Sequence, residues 1–237
     1  MRRHRQTHSH TWVVKRVLLS ALVVGGLSCF TLASTFALLT AESTNANGSV
    51  SSGTLYLGNL PSTSSSTCFS YNGTSPSTSP NSNAACNPLT GSAVMYPGGS
   101  AATAKVAISN PGTVSGNTLA LYMPSCAAAN TSGAPSPGTG NPCTTGGLEL
   151  TIAETDASWT PQRCVYPQTS GTCSFLANTL NALATTKNSS TSMYGLGEGL
   201  AAGQTRYFLI SMELPSTAAN TLQGRAAQFN LTWNLSQ

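Results

Sequence analysis

The residues that decide the fold are Arg206-Tyr-Phe-Leu-Ile-Ser-Met-Glu-Leu214 and Arg225-Ala-Ala-Gln-Phe-Asn-Leu-Thr-Trp-Asn-Leu235, close to the end of the chain. In both segments apolar side chains occupy every second position: Phe208, Ile210, Met212 and Leu214 in the first, and Ala227, Phe229, Leu231, Trp233 and Leu235 in the second. A period of two predicts a strand with one buried and one solvated face, which is typical of an antiparallel sheet. The first strand ends at Pro215 because proline has no backbone donor.

Shorter apolar segments, separated by turn residues, continue this pattern through the chain. They predict six further strands: Thr54–Leu60, Ala93–Tyr96, Thr103–Ser109, Thr118–Met123, Leu148–Glu154 and Cys173–Ala177. One helix is predicted within Phe175–Ala184, where leucines recur at roughly helical spacing. Short alternating strands of this kind predict an all-β domain over residues 54–237, a jelly-roll-like antiparallel β-sandwich.

Two insertions interrupt the predicted strands. Ser62–Pro88 and Ala127–Cys143 consist almost wholly of Ser, Thr, Asn, Gly, Pro and Ala. Such a composition cannot bury a core of its own, so both insertions are predicted to be long surface loops.

A basic and then apolar segment opens the chain. The first 16 residues hold five cations, an apolar run extends over Val17–Leu39, and Thr35 and Ala37 provide the small residues of a cleavage site. We expect residues 1–37 to be a signal peptide, cut after Ala37 by signal peptidase, and residues 38–53 to form an N-terminal segment. The apolar run is also long enough to cross a bilayer, so a retained membrane anchor is the alternative.

Removal of the signal peptide changes the sign of the net charge. The whole chain holds ten Lys and Arg residues, six Asp and Glu residues and a net charge of +4. Five of those cations lie before residue 17, which leaves five cations against six anions and a net charge of −1. No basic patch then remains to contact phosphates, and we expect no nucleic-acid partner. Contact with a membrane is expected only if the signal segment is retained.

The cysteines indicate an exported protein. Cys29 lies within the apolar run and leaves with it, unless it serves as the lipidated residue of a lipoprotein. Six cysteines remain, an even number that predicts disulfides outside the cytoplasm. Because each sequential pair brackets a loop-like stretch, we predict Cys68–Cys86, Cys126–Cys143 and Cys164–Cys173.

The sequence predicts neither a catalytic site nor a cofactor or metal site. All three histidines lie before residue 11, so the cleaved chain would contain none for acid–base work or metal binding. The candidate carboxylates are Glu149, Glu154, Asp156 and Glu198, which we expect to be solvated charges that do not converge. Trp159 and Tyr194 are aromatic candidates for sugar stacking, although packing is the more common role of such residues.

Several short motifs follow one another in a defined order along the chain. At the N-terminal end these are the signal-peptide exit Thr35-Phe36-Ala37 and the strand Gly53-Thr54-Leu55-Tyr56-Leu57. At the C-terminal end they are the strand closing in Leu214-Pro215, the signature loop Asn220-Thr-Leu-Gln223-Gly224 and a last strand that ends in Gln237. Taken in this order, these motifs resemble the TasA/camelysin family of secreted bacterial proteins, which form fibres in the biofilm matrix. The resemblance covers residues 30–237 with large insertions.

This resemblance implies a secreted structural subunit that polymerises into extracellular fibres of a surface layer or biofilm matrix. Its partners would be further copies of the chain and other matrix proteins. In such fibres an N-terminal strand of one subunit completes a sheet of its neighbour, and the candidate donor is Leu38–Val50, with Leu38, Leu39 and Ala41 as its apolar residues. The same segment could instead fold back on its own subunit.

Two other functions remain open. An uncut apolar run would make the protein a membrane-anchored cell-surface binding module. A camelysin-like protease is the third alternative, but the chain has no His-Glu-x-x-His motif to support it.

Overall fold

Two antiparallel sheets form the part of the chain that the computed structural model describes, residues 53–71, 86–89, 95–134, 136–168 and 171–237. All of these residues belong to one compact unit, Gly53–Gln237. The predicted signal peptide with its Ala37 cleavage site, the donor segment Leu38–Val50, residues 72–85 of the first insertion and residues 93–94 of a predicted strand lie outside the described residues.

Nine strands, one helix and a 3-10 turn follow one another in the described residues. In chain order they are β1 (Gly58–Pro61), β2 (Cys68–Phe69), β3 (Ala102–Ser109), β4 (Gly116–Asn130), β5 (Glu149–Thr155), β6 (Pro161–Tyr166), α1 (Thr179–Thr186), β7 (Tyr194–Leu200), β8 (Thr205–Glu213), the turn Asn220–Leu222 and β9 (Arg225–Ser236). The larger sheet has the order β2-β1-β3-β8-β5-β6, and the smaller sheet has the order β7-β4-β9.

The core lies between the two sheets. The alternating apolar residues of β8 pair with those of β3 and β5, as in Val106↔Phe208 and Ile152↔Ile210. From the smaller sheet, β4 and β9 supply the opposing side chains, and the Phe208 and Trp233 rings lie 5.0 Å apart between their centroids. The all-β antiparallel fold predicted from the alternation is therefore confirmed. The strands divide six to three between the sheets, which is not the even division of an eight-stranded jelly roll.

The structure corrects several predicted element boundaries. β4 continues to Asn130, so the first residues of the predicted loop Ala127–Cys143 belong to a strand, where Ala128 pairs with Ala227. Cys173–Ala177 is not a strand, because Cys173 closes a short loop through its disulfide to Cys164. The predicted helix exists as Thr179–Thr186, while β2, β6 and β7 were not predicted.

All three disulfides join the sequential pairs of cysteines. The bonds are Cys68–Cys86, Cys126–Cys143 and Cys164–Cys173, at Cα–Cα distances of 5.5, 5.8 and 4.8 Å. This is the pairing that the loop-like composition between the cysteines predicted. Disulfides of this kind persist in oxidising, extracellular-type environments.

Candidate functional site

The outer edge of β9 is the longest open strand edge among the described residues. β9 has 12 residues and pairs with β4 from Thr118↔Ser236 to Asn130↔Arg225. On its other side the described part of the chain provides no further strand. An edge strand leaves a row of backbone N–H and C=O groups available for pairing with another chain.

Apolar side chains along this edge are incompletely covered. Phe229, Leu231 and Leu235 contact the core but stay partly exposed, while Trp233 between them is buried. The Trp233 Nε1 donor is buried without a hydrogen-bond acceptor in the described residues. An unsatisfied buried donor is costly, and a half-exposed apolar row favours further burial. Within the described residues, the edge of β9 therefore combines backbone groups that no further strand pairs with an apolar row that another segment could cover.

The opposite edge of the same sheet, β7, has a different construction. Its sequence Tyr194-Gly-Leu-Gly-Glu-Gly-Leu200 contains a β-bulge, because the pairing with β4 shifts between Thr118↔Glu198 and Ala120↔Gly195. Gly197 lies within the bulge with a φ of 82°, in the left-handed region that favours glycine. The three glycines conceal the alternation of Leu196 and Leu200, which explains why the sequence did not predict this strand.

Side-chain donors occupy the backbone carbonyl groups of β7. Arg206 donates from Nη2 to the Leu196 oxygen at 2.9 Å and from Nη1 to the Glu198 oxygen. Arg163 donates to the same Leu196 oxygen at 3.3 Å. The Asn110 amide donates to the Leu200 oxygen at 3.0 Å. Three carbonyl groups at alternate positions of β7 therefore already accept hydrogen bonds from side chains.

Glu154 holds both guanidinium groups in place. Its carboxylate accepts from Arg206 Nε at 2.6 Å and Nη2 at 2.8 Å, and from Arg163 Nε at 2.6 Å. The exposed fractions of the side chains are 6% for Arg206, 18% for Glu154 and 49% for Arg163. Burial acts to raise the pKa of Glu154, but the hydrogen bonds and charges of the two arginines outweigh it and lower the pKa. We call these three residues the β7 clamp.

The clamp was missed from the sequence, although one signal pointed to it. Arg206 occupies the same register as Phe208, Ile210 and Met212, the buried face of β8. A cation in a buried register needs a buried anion, and Glu154 lies in the corresponding register of β5 beside Leu150 and Ile152.

The four candidate carboxylates do not form one cluster, although Glu154 and Glu198 line the same open pocket beside Arg163. Glu149 and Glu154 lie on opposite faces of β5, while Asp156 accepts from the Ser158 and Thr160 amides at 2.9 Å in the following turn. Glu198 has an exposed side chain. The expectation of solvated charges was wrong for Glu154, which is clamped, and for Glu149, which is 8% exposed. Burial, and then the nearby charge of Glu213, raise the pKa of Glu149.

The two aromatic candidates serve packing. The Tyr194 hydroxyl donates to the Val165 carbonyl at 2.7 Å, and its ring meets that of Tyr166 edge to face at 4.9 Å. Trp159 meets Tyr207 edge to face at 5.4 Å, with Lys105 over its ring. Neither aromatic ring stands alone on the surface.

The signature loop Asn220, Gln223 and Gly224 anchors the second insertion. The Gly138 amide donates to the Gln223 oxygen at 2.7 Å, and the Thr131 amide donates to the Gly224 oxygen at 2.9 Å. Gly224 has a φ of 65°, and a Cβ there would lie 3.0 Å from the Ala134 Cβ. These bonds tie the insertion to the start of β9, and the Cys126–Cys143 disulfide ties its end to β4.

Comparison of the sequence with known protein families and with curated proteins gives no match. In the described residues no three His, Cys, Asp or Glu side chains are grouped as metal ligands would be, and no helix is long and apolar enough to span a membrane.

Proposed function

We propose that this protein is a secreted structural subunit that polymerises into extracellular fibres through strand addition. The observation that supports the proposal is the 12-residue edge of β9, with its row of partly exposed apolar side chains. An extended segment added there would gain main-chain hydrogen bonds and would cover Phe229 and Leu231. The role is structural, and the proposal assigns no catalytic group.

The proposed occupant of this edge is the segment Leu38–Val50 of another copy. It has 13 residues, about the length of β9, and its apolar residues Leu39 and Ala41 are spaced to place their side chains on one face. Cleavage after Ala37 would free this segment at the N-terminus. The resemblance to the TasA/camelysin family supports the same mode of assembly.

The proposed location is outside the cell. Three disulfides fit an oxidising compartment, and the basic and apolar N-terminal segment supports export. In that compartment the fibres would belong to a surface layer or a biofilm matrix. Other matrix proteins are further proposed partners.

Deletion of residues 38–50 tests the proposal. The exported protein and the deletion variant are incubated at rising concentration and imaged by negative-stain electron microscopy. We expect thin regular filaments from the exported protein and monomers of unchanged thermal stability from the deletion variant. Normal filaments from the deletion variant would exclude the donor segment.

Matched substitutions separate the apolar part of the proposed donor from its polar part. Leu39→Asp with Ala41→Asp places charges among the apolar residues of the proposed donor, whereas Asn45→Asp with Asn47→Asp adds the same charge to its polar part. Filaments should be lost only with the first pair. Monomers with an uncut N-terminus would instead favour the membrane-anchored surface module. If the segment folds back on its own subunit, the protein would stay monomeric and the β9 amides would be protected from hydrogen exchange.

A further inference from the structure

The smaller sheet has two edge strands, β9 and β7, which differ in the described structure in whether their carbonyl groups already accept hydrogen bonds. β9 has an open edge, while the carbonyl groups of Leu196 and Glu198 in β7 are occupied by the β7 clamp. Leu200 has its carbonyl bonded to Asn110, a residue with no exposed surface. We infer that the β7 clamp blocks strand addition at β7 and so restricts pairing of the smaller sheet to β9.

The physical basis is the chemistry of an edge. A strand that docks on β7 needs its carbonyl oxygens as acceptors and an unobstructed approach in the plane of the sheet. Arg206 fills that position with a planar cation held at both ends, by Glu154 on one side and by two carbonyls on the other. Displacing it would separate a buried ion pair and leave Glu154 with an uncompensated charge, which is strongly unfavourable.

The bulge acts in the same direction. Gly197 interrupts the regular ladder, and an ideal Cβ at this position would lie 3.3 Å from the Arg163 guanidinium. Bulges twist an edge away from the geometry that a partner strand requires. β7 therefore combines a bulge with arginine side chains on its carbonyls.

Among the described residues, neither edge of the larger sheet presents a long open strand for pairing with another chain. Its edge strand β2 has only two residues. At its other edge, β6, the Cys164 amide donates to the Gly171 oxygen at 3.3 Å, inside the loop that the Cys164–Cys173 disulfide closes. Short strands and covering loops are common protections of sheet edges.

This inference rests on the proposed function for its biological meaning. A subunit with one open acceptor edge and one donor segment adds neighbours at two defined ends, which gives an unbranched fibre with a direction. A second open edge on the same sheet would allow lateral pairing, and lateral pairing leads to branched or sheet-like aggregates.

Replacing Glu154 and Arg206 together, which removes one negative and one positive charge, tests the inference. The double variant Glu154→Met/Arg206→Met replaces the ion pair by apolar side chains of similar size, which proteins often tolerate. Lys105→Met is the control, because it also replaces a cation by methionine but lies on β3, over the Trp159 ring, and is not part of the β7 clamp. Hydrogen exchange of residues 194–200 and 225–236 is measured by mass spectrometry before and after concentration of the exported protein.

In the wild-type protein we expect assembly to slow exchange in β9 and to leave β7 unchanged. In the double variant, β7 should also exchange at least about tenfold more slowly once the protein associates, because its amides enter a new ladder. The control should behave as the wild type. Slowed exchange of wild-type β7 on assembly, or a double variant that pairs through β9 alone, would overturn the inference.

The same experiment distinguishes the inference from the proposed function. If the wild-type protein stays monomeric at every concentration, polymerisation fails, but a double variant that dimerises through β7 still supports the clamp. A double variant that also stays monomeric overturns it. If the double variant does not fold, Arg206→Lys replaces it, because an ammonium group cannot reach both carbonyls in the planar two-pronged geometry. Partial slowing of exchange in β7 is then the supporting result, and unchanged exchange overturns the inference.

Discussion

Asn110 joins the turn after β3 to the end of β7 through one buried side-chain amide. Its Nδ2 donates to the Val114 and Leu200 carbonyls at 2.8 and 3.0 Å, and its Oδ1 accepts from the Gly112 amide at 3.1 Å. Asn110→Ala leaves these groups buried without partners. We expect the free energy of unfolding to fall by about 2–4 kcal/mol, measured by urea denaturation.

The control for Asn110 is Asn117→Ala, which truncates an exposed asparagine in β4. This variant should lie within about 0.5 kcal/mol of the wild type. Equal stability of the two variants would show that the Asn110 amide does not hold the turn to β7.

Glu154 makes the stability of the fold depend on pH. Although burial favours its protonated form, the two arginines hold its pKa below the usual value. The stabilisation is therefore complete above the unfolded pKa and is lost as the pH falls through the lower folded pKa. Glu154→Gln should lower the free energy of unfolding at pH 7 by about 3 kcal/mol, because it leaves Arg206 without its buried anion. The difference from the wild type should shrink as the pH falls below about 4.

Glu149→Gln, on the same strand, provides a control whose effect on stability should have the opposite sign. Burial and the charge of Glu213 raise the pKa of Glu149, so the ionised form is penalised in the fold. That penalty is absent below the unfolded pKa and grows as the pH rises through the higher folded pKa. Glu149→Gln should therefore gain stability relative to the wild type between acid and neutral pH. Parallel pH profiles for the two variants would contradict both assignments.

Among the elements, β7 is the one whose glycines have distinct and separable roles. Gly197→Ala places a side chain at a φ of 82° and 3.3 Å from Arg163, so we expect a loss of about 1–2 kcal/mol. Gly195 has no atom within 4 Å of an added Cβ and no positive φ. Gly195→Ala should change stability by less than about 1 kcal/mol, in the stabilising direction. Thermal unfolding of the two variants measures the difference, and equal losses would contradict the role of the bulge.

The elements that could be predicted from sequence are those in which buried residues recur at a regular interval along the strand. β8 and β9 follow the alternation of Phe208, Ile210 and Trp233, because each buried side chain faces the opposite sheet at a regular interval. β6 was not predictable, since Arg163 and Cys164 have no apolar period and are placed by Glu154 and by a disulfide. The β7 clamp depends on contacts between residues far apart in sequence, such as Glu154 and Arg206, and local patterns do not record such contacts.

At the scale of the whole molecule, the two sheets differ in the protection of their edges. The β6 edge is bonded to a disulfide-closed loop, and carbonyl groups of β7 accept hydrogen bonds from arginine side chains. Among the described residues, β9 has no further strand beside it. Export through an oxidising compartment fits the disulfides that secure the insertions. The open edge then becomes the surface on which a proposed fibre would grow.

Leu231→Lys tests this surface in the intact molecule. Leu231 contacts the core from the partly exposed row of β9, so a lysine there would direct a charge into the space that a donor strand must fill. The long side chain can extend its ammonium group to solvent in the monomer, and we expect a stability loss of no more than about 2 kcal/mol. Filament growth, followed by light scattering, should require at least about a tenfold higher protein concentration.

Asn230→Lys is the matched control, because it adds the same charge to the neighbouring exposed position, whose side chain points to the outer face of the sheet. We expect this variant to assemble at close to the wild-type concentration. If both lysine variants assembled as the wild type does, the apolar row of β9 would not be the acceptor, and fibre contacts would have to be sought on another surface. If both variants failed to assemble equally, the added charge alone would explain the loss. A role for the apolar row requires that only the lysine at position 231 blocks growth.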